Sequence, residues 1–145
     1  MPTIQALIDR KGGDVHAVGP NASVLEAAQL MNRRGIGGVV VLDAEERIVG
    51  IFTERDILRR VVASGRDAAR TMVRDVATAD VVTMPLHTSI DECAALMSTR
   101  RIRHLPVVDE GRLVGMVTTG DLLAYRVAES EATLQFMSSY LFDVR

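Results

Sequence analysis

The sequence has no tryptophan, only five other aromatic residues and a single cysteine, Cys93. One cysteine excludes an intrachain disulfide framework and indicates a reducing compartment, so we expect a cytoplasmic protein. The scarcity of aromatic rings argues against a surface that stacks single-stranded bases. A formal net charge of -2 offers no bulk attraction to phosphate backbones, so we expect no nucleic-acid partner.

Long apolar stretches and metal-ligand spacings are missing as well. No run approaches the ~20 residues of a membrane-spanning helix, and the N-terminus shows no charged-then-apolar signal, so we expect no membrane partner. His16, His87 and His104 do not show ligand spacing with one another or with Cys93, so no metal is expected. The sequence shows no catalytic Ser/His/Asp or Cys/His constellation and no Gly-x-x-x-x-Gly-Lys loop, and we therefore predict no enzyme activity.

What the sequence does contain is an internal duplication. Residues 14–43 and 80–109 share 11 identities in 30 positions, and residues 47–58 and 112–123 share 6 in 12. A chain of 145 residues, 48% hydrophobic and 25% charged, allows about one globular domain, made here of two similar halves. We place the first repeat at residues 1–66, the second at residues 67–128 and a C-terminal helical tail at residues 129–145.

Both halves show the same order of predicted elements. A short extended segment (15–18 or 81–84) precedes a helix that begins at Ser23 or Ser89, each followed three residues later by the glutamate of a capping box. Two apolar strands follow, and a second helix then starts at Thr53 or Thr118. Since a half of about 60 residues is marginal alone, the pattern predicts an α/β (α+β) fold. It consists of two βαββα repeats packed sheet to sheet as one pseudo-two-fold module.

The two copies differ at the end of their first helix. Gly35 suits a left-handed helix stop, whereas its counterpart is Arg101, so we expect the second helix to end differently. Residues 63–72 are interpreted as the link between the halves. Cys93 lies on the apolar face of its predicted helix and is expected to be a buried small residue.

The segments Ile36–Asp43 with Val49–Asp56 resemble the CBS domain, which occurs in tandem pairs called Bateman modules. The same holds for Ile102–Asp109 with Val114–Asp121, the closer match of the two copies because it has the Leu-Pro pair that the first lacks. The resemblance covers about residues 3–128. It also extends to small stand-alone bacterial tandem-CBS proteins of the signal-transduction type.

This resemblance implies a regulatory module, without catalysis, that binds an adenine nucleotide in clefts between its halves. Such a module signals energy state through ligand-dependent conformation or partner binding. AMP is the ligand we expect first, with ATP, ADP and NAD as alternatives. An NAD(H) or S-adenosylmethionine sensor and a ligand-independent dimerising interaction module also stay open. The family further implies a homodimer of modules and an effector protein that the sequence does not identify.

Two Thr-x-x-Asp motifs stand at strand-to-helix junctions, Thr53 with Asp56 and Thr118 with Asp121. By spacing alone, they are helix caps in which threonine is the N-cap and the acid follows three residues on. The resemblance implies that each aspartate also accepts hydrogen bonds from a ribose diol, while the threonine or the helix N-terminus meets phosphate. The two interpretations can hold together.

Arg103 and His104 precede a strand of the second half. They are either a solvated pair or, as the resemblance implies, basic groups that reach a ligand phosphate. The first half has Gly37 and Gly38 at these positions, so we expect two unequal clefts. Arg55 is expected to compensate in part on the side of the first half. The equivalent Gly120 permits close backbone approach.

The resemblance implies further ligand contacts at the end of each half's first strand and at the start of the next strand. The first set is expected at the adenine edge, with a structural turn as the alternative. These candidates are Ala17, Val18, Thr83, Met84 and Pro85 for the first set, and Gly38, Val39, Leu105 and Pro106 for the second.

The predicted tail carries too many apolar residues for an exposed coil, so we expect it to dock on the module or on a partner subunit. These residues are Leu134, Phe136, Met137, Leu141 and Phe142.

Overall fold

Two three-stranded sheets form the framework of the protein in a computed structural model that describes residues 1–142. The elements of the first half are α1 (Ile4–Lys11), β1 (Ala17–Val18), α2 (Val24–Arg34), β2 (Gly38–Leu42), β3 (Ile48–Thr53) and α3 (Glu54–Asp56), which continues as a π-helix (Ile57–Val62). Those of the second half are α4 (Val73–Val76), β4 (Met84–Pro85), α5 (Ile90–Arg100), β5 (His104–Asp109), β6 (Arg112–Thr118) and α6 (Thr119–Phe142).

The two sheets repeat one topology. In the first, β1 pairs parallel with β2 and β2 pairs antiparallel with β3; β4, β5 and β6 do the same in the second. The predicted βαββα order is therefore confirmed in both halves. The first strand of each half is shorter than predicted, and Val15 and Val81, which precede the two strands, pack against the apolar layer between the sheets. Helices α1 and α4 were not anticipated from the sequence.

The helix ends follow the capping chemistry, with one exception. The Ser23 and Ser89 hydroxyls each accept a hydrogen bond from the backbone N–H of the glutamate three residues on, at 3.0 Å. Gly35 ends α2 in the left-handed region, with φ 63°, as predicted. The expectation for α5 was wrong, because Arg101 adopts the same left-handed cap with φ 54°. Its N–H is directed at the carbonyls of Met97 and Ser98, so the cap geometry prevails over the side-chain penalty.

The sheets pack against each other through a shared apolar layer. In β2, Val39 and Val41 face the helices of the first half, whereas Val40 points between the sheets and meets Met116 and Ile51. This strand is buried on both faces, which explains its continuous apolar sequence. The layer joins the two halves into the predicted module.

Each half also contributes a helix to the core of the other. In α1, Ile4, Leu7 and Ile8 pack with the buried residues of the second sheet, and the α1 backbone donates from Ile4 to the Thr88 carbonyl at 2.8 Å. In return, α4 packs in the core of the first half. A Cβ at Gly115 would lie 2.6 Å from Ile8 Cδ1, so this glycine permits the close approach of α1.

Helix α6 runs without a break from the second half through the predicted tail to Phe142. Beyond its first turns it projects from the module, and Leu134, Phe136, Met137 and Leu141 are exposed. Residues 143–145 of the predicted tail lie outside the described residues. Within residues 1–142, no helix is both long and apolar enough to traverse a bilayer.

Candidate functional site

Two adjacent clefts open between the halves and share Gly37 and His104 in their walls. Cleft 1 has a volume of about 180 Å³ and cleft 2 about 350 Å³. Cleft 1 is lined by Gly37, Ile51, Thr53–Asp56 and Thr78 with residues 101–104 of the second half. Cleft 2 is lined by Met116, Thr118, Asp121 and His104 with Lys11, residues 14–16 and residues 35–38 of the first half.

The first Thr-x-x-Asp motif forms a complete capping box at the edge of cleft 1. Asp56 accepts from the backbone N–H of Thr53 at 3.0 Å, and Thr53 Oγ1 accepts from the N–H of Asp56 at 3.5 Å. The other carboxylate oxygen, Oδ1, lies 3.3 Å from Thr78 Oγ1 and 3.8 Å from Arg60 Nε. Asp56 is therefore held in place, and its two contacts at Oδ1 are long ones.

The second motif forms the same cap at cleft 2 but carries a stronger partner. Asp121 Oδ2 accepts from the Thr118 N–H at 2.9 Å, and Thr118 Oγ1 accepts from the N–H of Asp121 at 3.1 Å. Lys11 Nζ donates to the same carboxylate oxygen at 2.5 Å and to the Met116 carbonyl at 2.7 Å. The only lysine of the chain thus neutralises the acid of cleft 2.

The two clefts differ in the charged residues that line them, since cleft 1 has three arginines beside Glu54 and Asp56, whereas cleft 2 has Lys11 beside Asp14 and Asp121. Arg55, Arg101 and Arg103 line cleft 1, and no guanidinium group of the three lies within 4.0 Å of a carboxylate in residues 1–142. At the positions equivalent to Arg101 and Arg103, cleft 2 has glycines. The expected distribution was nevertheless different, since Arg55 does not compensate for Arg103 in another cleft. Arg55 lines the same cleft as Arg103, because residues of both halves line each cleft.

His104 lies at the boundary of both clefts. Its ring rests on the backbone of Gly37 and Gly38, where a Cβ at Gly38 would lie 2.9 Å from Cδ2 of the imidazole. Residues 38 and 104 are equivalent in the two repeats, so the glycine provides the space that the histidine occupies. Burial lowers the pKa of His104, while the carboxylates of Glu54 and Asp121 oppose this shift.

The candidates divide into those that line a cleft and those that do not. Both threonines and both aspartates of the motifs, with Arg55, Arg103, His104 and Gly38, line a cleft. The other candidates do not line either cleft; Val39, Met84, Leu105 and Pro106 are buried in the module. The remaining ones are Ala17, Val18, Thr83, Pro85 and Gly120.

Several lining residues were missed from the sequence. Lys11 and Thr78 precede the regions of clear repeat similarity, and each reaches the aspartate of a Thr-x-x-Asp motif. The isolated lysine among 17 basic residues was the available signal for Lys11. Arg101 was assigned only to a helix end, although its left-handed cap brings it to the wall of cleft 1.

Other reactive groups lie away from the clefts. Cys93 is fully buried in α5, and burial raises the pKa of its thiol to about 11, so the thiol stays protonated. Within residues 1–142 there is no group of three or more His, Cys, Asp and Glu side chains suited to hold a metal ion.

Comparison with known proteins gives a consistent result for both halves. Residues 8–63 and 73–128 each match the CBS domain. The chain is 40% identical to a CBS-domain protein of Burkholderia ambifaria assigned to signal transduction, whose solved structure superposes with a TM-score of 0.84. That match covers 87% of this chain and 94% of the other. A CBS domain-containing protein of Bacillus subtilis is 36% identical over 81% of this chain and 83% of its own length.

Some similar proteins are considerably longer. The chain spans 64% and 60% of the length of two curated relatives that it matches at 35% and 33% identity. It is also 37% identical to an inosine-5'-monophosphate dehydrogenase of Methanocaldococcus jannaschii, where 78% of this chain matches 22% of that protein. The similarity is therefore to the paired repeats rather than to a catalytic domain.

Proposed function

The chain belongs to the CBS-domain family, and on that premise we propose that it is a regulatory module that binds an adenine nucleotide in cleft 1. The proposal includes no catalytic step. The observation that carries it is that three arginines, none of them paired with a carboxylate within residues 1–142, line the same cleft as the Asp56 cap. AMP is the first candidate, followed by ADP, ATP and NAD.

The chemistry of cleft 1 suits a phosphate ester of a nucleoside. Arginine presents a planar fork of donors that matches phosphate oxygens, and three of these side chains border one small cleft. The contacts of Asp56 Oδ1 to Thr78 and Arg60 are long, so a ribose hydroxyl can compete for that oxygen. S-adenosylmethionine carries a sulfonium cation and is disfavoured at this wall.

Binding in cleft 1 would couple the two halves. Asp56 and Arg55 come from the first half, whereas Arg101 and Arg103 come from the second. A ligand that contacts both groups favours the relative arrangement in which they converge. Its differential affinity for that arrangement shifts the population of the module, and this shift is the signal passed to an effector protein.

Isothermal calorimetry on Arg103→Gln tests the site, with Arg66→Gln in the exposed interrepeat segment as a control of equal charge change. A lost charge-assisted hydrogen bond is worth about 1.5–3 kcal/mol, so we expect AMP to bind Arg103→Gln about 10- to 100-fold more weakly. The control should bind as the wild type does. Equal affinity of the two variants would remove Arg103 from the site.

A thermal-shift series with AMP, ADP, ATP, NAD and S-adenosylmethionine tests the ligand class. A ligand at 100 times its dissociation constant adds about 2.7 kcal/mol, which is a rise of about 5–10 °C for a chain of this size. A flat series would overturn nucleotide sensing and favour a ligand-independent interaction module. Incubation with ATP or NAD should give no turnover; product formation would instead indicate an enzyme.

A further inference from the structure

An exposed apolar seam runs along α6. We define the seam as Leu123, Val127, Ser130, Leu134, Met137 and Leu141, which follow one another at intervals of 4, 3, 4, 3 and 4 residues. These are the core positions of a heptad repeat, with Val127, Leu134 and Leu141 at a and the other three at d. The five apolar members are between 47% and 65% exposed. The seam is thus unpartnered within residues 1–142.

The module holds α6 by a different face. Leu122 is buried, Tyr125 packs in the same core, and the ring of Tyr125 lies 5.4 Å beneath the Arg10 guanidinium of α1. Arg126 pairs with Asp91 of α5 at 3.0 Å. At 3.6 residues per turn, the seam is rotated by roughly 100° from Leu122, so docking of the helix root leaves it free.

The repeat and its flanking charges identify the occupant as the same seam. Apolar residues every 3.5 positions match a second helix with that repeat, whose knobs fill the holes of the first. Arg126 occupies a g position and Glu131 the e position five residues on. In a parallel pair, g of one helix faces this e of the other, so the two charges meet across the interface. In an antiparallel pair, g faces g and e faces e.

We propose that α6 forms a parallel two-stranded coiled coil with α6 of a second copy of this chain. The pairing places two modules side by side at the N-terminal end of the coil. Arg126 retains donors for Glu131 of the partner beyond the one that it gives Asp91, because a guanidinium carries five. This assembly goes beyond nucleotide binding and requires no ligand.

Sedimentation of the full chain without nucleotide tests the seam. Leu134→Glu places a charge at a core a position, and Gln135→Glu makes the same charge change at the neighbouring outer position. We expect the wild type and Gln135→Glu to be dimers. The dimer dissociation constant of Leu134→Glu should be at least tenfold higher. Thermal unfolding of both variants controls for folding. A monomeric wild type, or equal dimerisation of both variants, would overturn the proposal while leaving calorimetry on cleft 1 unaffected.

Cysteine cross-linking tests the orientation. A parallel pair brings the two copies of residue 137 face to face at a d position, whereas residue 139 points outward. Met137→Cys should therefore give a disulfide-linked dimer under mild oxidation, and Ser139→Cys should remain unlinked. The native Cys93 is buried and does not interfere. A dimer in which Met137→Cys fails to cross-link would refute the parallel coil.

Discussion

Replacing Arg101 by glycine should raise the stability of the module and weaken its ligand affinity. Arg101 holds φ 54° and ψ 41°, almost the conformation of Gly35 at the equivalent position, φ 63° and ψ 36°. An L side chain in this region costs about 1–2 kcal/mol. Glycine relieves this strain, but it also gives the unfolded chain more conformational freedom, which offsets about 0.5–1 kcal/mol of the gain.

The net gain is therefore about 0.5–1 kcal/mol, or a rise in melting temperature of about 1–4 °C. The change also removes one of the three guanidinium groups of cleft 1. As for Arg103 at the same wall, a lost charge-assisted hydrogen bond is worth about 1.5–3 kcal/mol, so affinity for AMP should fall about 10- to 100-fold. The two effects have opposite signs, which is the usual trade-off between stability and function at a strained site.

Urea unfolding measures the first effect, and calorimetry with AMP measures the second. Gly35→Arg is the reciprocal control and should destabilise the module, because it adds strain where the sequence has none. If Arg101→Gly is less stable than the wild type, the strain argument is wrong. If it binds AMP with unchanged affinity, Arg101 does not contact the ligand.

Three further predictions concern Gly38, His104 and Cys93. Gly38→Ala should lower the free energy of unfolding in urea by about 1 kcal/mol or more, because its Cβ collides with the His104 ring. Gly19→Ala, where the Cβ meets nothing within 4 Å, should be neutral. An equal loss in both variants would refute the steric reason. Burial lowers the pKa of His104, so the neutral imidazole contributes fully to the stability of the folded state above about pH 6.5. This contribution is lost as the pH falls through the lowered pKa. His104→Gln should accordingly lose less stability than the wild type between pH 7.5 and 5, and parallel stability curves would contradict this. The Cys93 thiol, fully buried and with its pKa raised to about 11, should react with a thiol reagent at pH 8 only after unfolding; rapid reaction in the native state would exclude the buried placement.

The sequence was sufficient for the repeated core because the signals there are redundant. Two serine capping boxes, two Thr-x-x-Asp junctions and paired apolar strands occur in register, and each reinforces the other. Helices α1 and α4 lack this support. Each has eight residues or fewer and gains its stability from the opposite half, which no local pattern records.

The site was partly predictable for a related reason. A duplicated sequence identifies equivalent residues but does not say which wall faces which. Arg103 was therefore identified as a basic candidate, yet its cleft mates Arg55 and Asp56 of the other half became evident only in three dimensions. Arg101 was missed because a left-handed cap is normally predicted from glycine or asparagine, not from arginine.

The exchange of α1 and α4 has a consequence for how the chain is completed during synthesis. Translation delivers residues in order, so the first core can close as soon as α4 has emerged, about 50 residues after α2 begins. Helix α1 is made before the other described elements but finds its partners only when α5 and β6 are present. Its apolar residues Ile4, Leu7 and Ile8 therefore remain exposed on the nascent chain until the second half has been synthesised. An N-terminal fusion that hinders this late return should trap a ribosome-released species with a finished first half and an open second one.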